Sequence, residues 1–144
     1  MGYYISQVDS KFFIPKELFG PALAAIKEVM SDSDSMQGGA WNAEGRSERW
    51  YAWVSTEEVM KAETLKEALW AWRWEAFIDK DGDITDLSFQ GEKSGQEEVL
   101  FRILAPHVKD GSYICMKGED GEHWRWLFRD RRCLEQFGRV VYDD

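Results

Sequence analysis

The sequence predicts an α+β fold in which residues 1–144 form one domain, with an antiparallel sheet, a C-terminal meander and about three helices packed on one face. Its 144 residues are close to the commonest size of a single domain, and no linker or repeat is visible. The chain is 44% hydrophobic, with eight Trp, eight Phe and five Tyr, enough for a continuous core. Helix-like and strand-like apolar spacing are interleaved, and short turns join the last three strands, which favours antiparallel pairing.

The first 48 residues contain a strand, a helix and a polar segment. Residues 3–8 are predicted to form a strand. Apolar residues at helical spacing over 18–30 predict a helix, which begins either at Pro21 or near Lys16. Residues 31–48 are rich in Gly and Ser, and we expect a long mobile loop there.

A strand and a second helix follow. Aromatic alternation predicts a strand over 49–55. Thr64 and Glu67 form a capping box, so a helix should begin at about Leu65 and run through Trp74. Trp70 and Trp74 would then lie on one helix face.

The rest of the chain reads as a hairpin, a helix and the meander. Alternating apolar residues on both sides of an Asp-Gly turn predict a β-hairpin over 75–91. A third helix should cover about 96–104. Three strands should follow, at 113–117, 124–129 and 133–142. The predicted core is Leu23, Ile26, Leu69, Phe77, Phe89, Leu100, Ile103, Leu104, Ile114, Trp124 and Trp126.

The hairpin turn resembles the start of an EF-hand calcium loop but lacks two essential positions. Asp79, Asp81 and Asp83 stand at loop positions 1, 3 and 5. The Gly needed at position 6 is Ile84, and the bidentate acid needed at position 12 is Gln90. We therefore expect an ordinary turn and not a calcium site, with weak binding of a divalent ion as the alternative, and no cofactor.

The cysteines and histidines show no catalytic or zinc-binding spacing. Cys115 and Cys133 are not in a CxxC motif, and His107 and His123 do not complete a zinc set. The N-terminal residues lack the features of a signal peptide, so a cytoplasmic protein with reduced thiols is expected. A Cys115–Cys133 bridge is disfavoured in that compartment. No catalytic motif is present, which favours a protein that is not an enzyme.

The net charge of −9 is concentrated in the middle of the chain. Residues 31–100 contain sixteen acidic and seven basic residues, which accounts for the whole excess. Binding to duplex DNA or to a membrane surface is therefore disfavoured, because both need a basic face. Buried unpaired carboxylates are costly, so these acids should face water and offer one acidic face to a basic partner. Its predicted members are Asp79, Asp81, Asp83, Asp86, Glu92, Glu97 and Glu98.

An alternative binding site lies on the Trp-rich strand near the C-terminus. Trp124 and Trp126 alternate there with Arg125 and Arg129. Packing of the aromatic residues under helices is one interpretation. The other is an aromatic and arginine-lined site for a small ligand or a nucleotide.

Two stretches near the C-terminus carry a family resemblance. They are APHVKDGSYI, beginning at Ala105, and GEDGEHWRW, beginning at Gly118. With the Met-Gly-Tyr-Tyr start, they resemble an uncharacterised family of small proteins from bacteria, bacteriophages and mobile elements. The resemblance implies a setting rather than a mechanism.

Together these observations favour a non-enzymatic binding protein that acts by protein contact. The specific hypothesis is a phage or mobile-element inhibitor of a host nuclease or defence complex, acting in the host cytoplasm. Its partner would be a host protein with a basic surface, met by a face that imitates the charge of DNA. The alternative is a small-ligand or nucleotide-binding module on the Trp/Arg strand.

Overall fold

A computed structural model describes residues 2–31, 38–41, 47–50, 54–139 and 141. It confirms the α+β class and the single domain, with antiparallel sheets and one hydrophobic core. The strands are β1 (Ile5–Lys11), β2 (Gly38–Trp41), β3 (Ser47–Trp50), β4 (Trp74–Ile78), β5 (Ile84–Phe89), β6 (Tyr113–Gly118), β7 (His123–Arg129) and β8 (Arg132–Gly138). The helices are α1 (Phe19–Met30), α2 (Thr56–Lys61), α3 (Leu65–Ala71) and α4 (Glu97–Leu104), with short 3-10 turns at Lys16–Leu18 and Ala105–His107.

The main sheet has the strand order β1-β6-β7-β8, and all its pairs are antiparallel. The predicted C-terminal meander is therefore confirmed. The strands β4 and β5 form the predicted hairpin, with Gly82 at φ 90° in its turn, a conformation that glycine adopts without strain. The strands β2 and β3 form a second two-stranded sheet.

The β4–β5 hairpin is joined to β1 partly by one side chain. Main-chain bonds connect Ile14 and Ile84 in both directions at 3.0 Å. Further along, the amide of Gln7 donates from Nε2 to the Leu87 carbonyl at 2.8 Å and accepts the Phe89 N–H at 2.7 Å. The Gln7 side chain thus takes the place of a neighbouring strand on the edge of β5.

The helix α1 begins between its two predicted starting points. A 3-10 turn at Lys16–Leu18 leads into the α-helix at Phe19. Pro21 is the third residue of α1, where its missing N–H costs no hydrogen bond, because the first four N–H groups of a helix have no internal acceptor.

The second predicted helix starts where expected but ends early. The Thr64 hydroxyl accepts the Glu67 N–H at 3.2 Å, as the capping box predicts. The prediction that this helix continues through Trp74 is wrong, because the chain leaves α3 after Ala71 and Arg73 takes the left-handed conformation at φ 71°. Trp74 begins β4, so it does not share a helix face with Trp70.

Two segments differ from the predictions made for the middle of the chain. Within 31–48, predicted as a mobile loop, residues 38–41 pair with 47–50 in an antiparallel hairpin, so the described part is not loop throughout. Residues 32–37, 42–46 and 51–53 lie outside the described part, including much of the predicted strand 49–55. The helix α2 was not predicted; its N-terminus is capped by the Ser55 hydroxyl, which accepts the Glu58 N–H at 3.3 Å.

Aromatic side chains form the centre of the core between the sheet and the helices. Phe101 of α4 contacts the rings of Phe12, Trp74, Trp126 and Phe128 at centroid distances of 4.9 to 6.3 Å. These spacings are typical of favourable aromatic pairs. Phe101 is therefore a central contact between α4 and the strands β4 and β7.

The predicted core is largely correct. Its fully buried members are Ile26, Leu69, Leu100, Leu104, Ile114 and Trp126, and its partly buried members are Leu23, Phe89, Ile103 and Trp124. Phe77 is the error, since 46% of it is exposed. Phe77 pairs with Asp86 on the face of the hairpin opposite the buried Ala76 and Leu87.

Candidate functional site

The seven predicted acids do not form one face. Asp79, Asp81 and Asp83 belong to the turn of the β4–β5 hairpin, whereas Glu92 and α4 follow the other end of β5. The six residues of β5 separate the two ends by about 20 Å. The single acidic face predicted from the sequence therefore divides into two groups.

Two of the three aspartates of the turn, Asp79 and Asp83, accept main-chain hydrogen bonds. Oδ1 of Asp79 accepts the N–H groups of Asp81 and Asp83, each at 3.0 Å. Oδ1 of Asp83 accepts the Lys16 N–H at 2.8 Å. Asp86, in β5, is half-buried and accepts the Ser10 hydroxyl at 2.7 Å. The carboxylates of Asp79, Asp83 and Asp86 therefore stabilise the hairpin and its contacts with Ser10 and Lys16.

Glu97 is buried, which corrects the prediction that it faces water. Only 2% of Glu97 is exposed, and its carboxylate forms an ion pair with Arg73. It also accepts the Gly95 N–H at 2.8 Å, while Arg73 donates to the Lys93 carbonyl at 2.7 Å. Burial raises the pKa of Glu97, an effect that the Arg73 guanidinium opposes. Glu97 therefore ties α4 to the corner between α3 and β4.

The Trp/Arg strand does not present its four predicted residues on one surface. Successive side chains of a strand point to opposite faces. Trp126 is 3% exposed and lies in the core, and the Trp124 ring packs edge-on against it at 6.1 Å. Arg125 and Arg129 are exposed and belong to the other face of β7. A combined aromatic and arginine platform on β7 is thus not formed.

An exposed apolar surface lies instead on α3 and β4. Trp70 is 58% exposed, Phe77 46% and Ile78 43%. Trp70 lines a hollow of about 350 Å³ together with Lys66, Glu67, Glu75 and Ala76. Phe77 lines a different hollow, beside β1. We call Trp70 and the residues that line the hollow with it, Lys66, Glu67, Glu75 and Ala76, the Trp70 surface. Large exposed apolar side chains with a polar rim are typical of protein contact sites.

Sequence reasoning missed this surface, although a signal for it was present. The buried residues Leu65, Ala68, Leu69 and Trp72 follow helical spacing and define the inner face of α3. Trp70 stands outside this stripe, so the same periodicity places it on the outer face.

The region around the Trp70 surface is acidic. Residues 54–85 contain eight acidic and four basic residues. Within the described part of the chain, the ion pairs are Lys61–Glu57, at 2.6 Å on the surface, and Arg73–Glu97. Glu67 and Glu75, the two carboxylates that line the hollow with Trp70, form no ion pair with a described residue.

The two cysteines are separated and have raised pKa values. Cys115 pairs with Arg125 on one face of the meander, whereas Cys133 pairs with Phe128 on the other, and β7 lies between their strands. They are free thiols and cannot form a bridge with each other in this arrangement. Burial raises the pKa of Cys133 to about 12 and also raises that of Cys115. Neither is activated as a nucleophile by its surroundings.

The fold and its surfaces define a two-layer α+β protein, with helices on one side of an antiparallel sheet and a separate exposed apolar surface. Comparisons with protein-family models, with curated proteins and with solved structures found no significant match to this chain. In the described part of the chain, no helix has the length and apolar character needed to cross a membrane. Nor do three or more metal-ligating side chains cluster within those residues.

Proposed function

We propose that this chain is a non-enzymatic binding protein that acts by protein contact through the Trp70 surface. The observation that carries the proposal is the 58% exposure of Trp70 beside a hollow that Glu67 and Glu75 also line. Exposed Trp is the residue most often found at the energetic centre of protein interfaces. A partner would bury Trp70 in an apolar recess.

The charge around this surface supports a partner with a basic rim. Glu67 and Glu75 lie beside Trp70, and the only base lining the same hollow among the described residues is Lys66. Opposite charges across an interface accelerate association more than they raise affinity, and salt weakens the effect. The family resemblance supports a setting in bacteria or their phages, so we propose a host nuclease or defence protein as the partner and the host cytoplasm as the location.

The test compares the capture of partners from bacterial lysate by wild type and by two variants that fold equally well. Wild type and Phe137→Ser should capture the same stoichiometric protein, while Trp70→Ala should lose it. Phe137 is a matched control, because it is an exposed aromatic residue on β8, at the far edge of the main sheet. Circular dichroism and melting curves should show that all three fold alike, since the removed side chains are exposed.

Reversal of charge separates the electrostatic from the apolar contribution. With the captured partner purified, Glu67→Lys/Glu75→Lys should slow association about tenfold at low salt and much less at high salt. A partner that binds Trp70→Ala as tightly as wild type, or no stoichiometric partner at any salt concentration, would contradict the proposal.

A further inference from the structure

The face of the meander opposite the core contains a hollow of about 590 Å³. Its floor follows one row of residues that face each other across the four strands, namely Asp9, Cys115, Arg125 and Gln136. The row is recessed because Cys115 is small and Gly138, which also lines the hollow, has no side chain. The volume lies within the range of about 300 to 1,000 Å³ that small-molecule sites occupy.

The charges lining the hollow are mainly positive, in contrast to the net charge of the chain. Arg125 and Arg139 lie around it, with Asp9 as the one carboxylate among its described lining residues. Asp9 already accepts the Tyr113 hydroxyl at 3.2 Å. The hollow therefore favours an anion.

Arg125 is held in a fixed orientation for such an anion. Its Nε donates to Oε1 of Gln136 at 2.6 Å, which sets the plane of the guanidinium. Within the described residues, its terminal N–H groups have no hydrogen-bond partner. A guanidinium positioned in this way can donate two parallel hydrogen bonds to a phosphate or carboxylate.

We propose that this hollow binds an organic phosphate monoester of about nucleotide size. Two guanidinium groups match a dianion, and a phosphate monoester carries about −1.5 to −2 charges at pH 7. Val8, an exposed apolar residue at the rim, offers a contact for the organic part. The site lies on the meander, away from the Trp70 surface, and goes beyond the proposed protein contact.

Titration calorimetry at low salt with AMP as the probe tests the proposal. AMP should bind with a Kd below about 1 mM, and adenosine and inorganic phosphate should each bind at least about tenfold more weakly. Arg125→Gln should weaken AMP binding at least about tenfold. Arg129→Gln is the matched control, since Arg129 is exposed on the same face of β7 but outside the hollow, and it should bind AMP as wild type does.

A second variant fills the hollow without straining the backbone. A Cβ at Gly138 would meet only the Cβ of His123, at 4.0 Å, which is an ordinary contact. Gly138→Leu should therefore keep the melting temperature and abolish AMP binding. No binding of AMP by wild type, or equal binding by Gly138→Leu, would overturn the proposal. Phosphate alone binding as tightly as AMP would overturn the assignment to an organic ester. Trp70→Ala should leave AMP binding unchanged, so the two proposals fail independently.

Discussion

Truncation of Trp126 should remove a large part of the stability of this domain. Trp126 is 3% exposed, and its ring contacts Phe101 at a centroid distance of 4.9 Å, Trp124 at 6.1 Å and Trp74 at 6.5 Å. Replacing such a residue by Ala costs about 3–5 kcal/mol, from lost transfer free energy and the cavity left behind. That is a substantial share of the roughly 5–15 kcal/mol that stabilises a typical domain.

The expected change in melting temperature follows from the size of the chain. At about 2.1 cal/mol/K per residue, the entropy of unfolding is roughly 0.3 kcal/mol/K, so Trp126→Ala should lower the melting temperature by about 10–17 °C. Trp126→Phe should lose less, because the buried indole Nε1 has no hydrogen-bond partner among the described residues and its removal relieves a desolvation penalty. Thermal unfolding followed by circular dichroism measures both. An unchanged melting temperature in Trp126→Ala would refute the placement of this ring in the core.

Three further predictions concern the ion pair, the inter-strand side chain and the turn. Glu97→Ala should lower the free energy of unfolding, measured with urea, by about 3–5 kcal/mol, because the charge of Arg73 is left without its partner. Replacing both residues by apolar ones should lower it by less than either single change. Because the pKa of Glu97 is raised in the folded state, its contribution to stability should be greatest at low pH. The contribution of Glu97 should fall as the pH rises from the ordinary pKa of a glutamate to the raised pKa of Glu97 in the folded protein. Glu97→Ala should not show this decline. Gln7→Leu should cost about 1–3 kcal/mol by leaving main-chain groups of β5 unpaired, whereas Gln90→Leu, at an exposed site, should be nearly neutral. Millimolar calcium should leave the melting temperature nearly unchanged, since the 79–83 turn lacks the glycine and final acid of a calcium loop; a rise of several degrees would contradict this.

The sequence predicted correctly those helices and strands whose formation depends on residues only a few positions apart. The capping residue Thr64, the Asp-Gly turn and the period of apolar residues each act within a few positions, so the starts and types of α3, β5 and α4 could be predicted. The end of α3 could not, because Arg73 adopts a left-handed conformation while its side chain pairs with Glu97, 24 positions away.

The candidate sites were harder to predict for a related reason. The prediction of one acidic face assumed that residues close in sequence are also close in space. The strand β5 separates Asp81 from Glu92. The four residues of the Trp/Arg site do not share one face, because alternation along β7 sends Trp126 and Arg125 to opposite faces, although Trp124 and Arg125 both line the hollow on the meander. The hollow on the meander is lined by Asp9 of β1 and Gln136 of β8. Only the order of the strands in the sheet brings these two residues to the same hollow.

The bridging role of Gln7 restricts which amino acid can occupy that position. The edge of β5 offers one carbonyl, from Leu87, and one N–H, from Phe89, and both must be satisfied by a single side chain. Asn has the same amide but is one methylene shorter, Glu cannot donate when ionised, and Lys cannot accept. Glutamine alone combines donor, acceptor and reach. Sequences that share this junction should therefore keep Gln at position 7 even where the surrounding apolar residues exchange freely, which makes it a better marker of the fold than any core position.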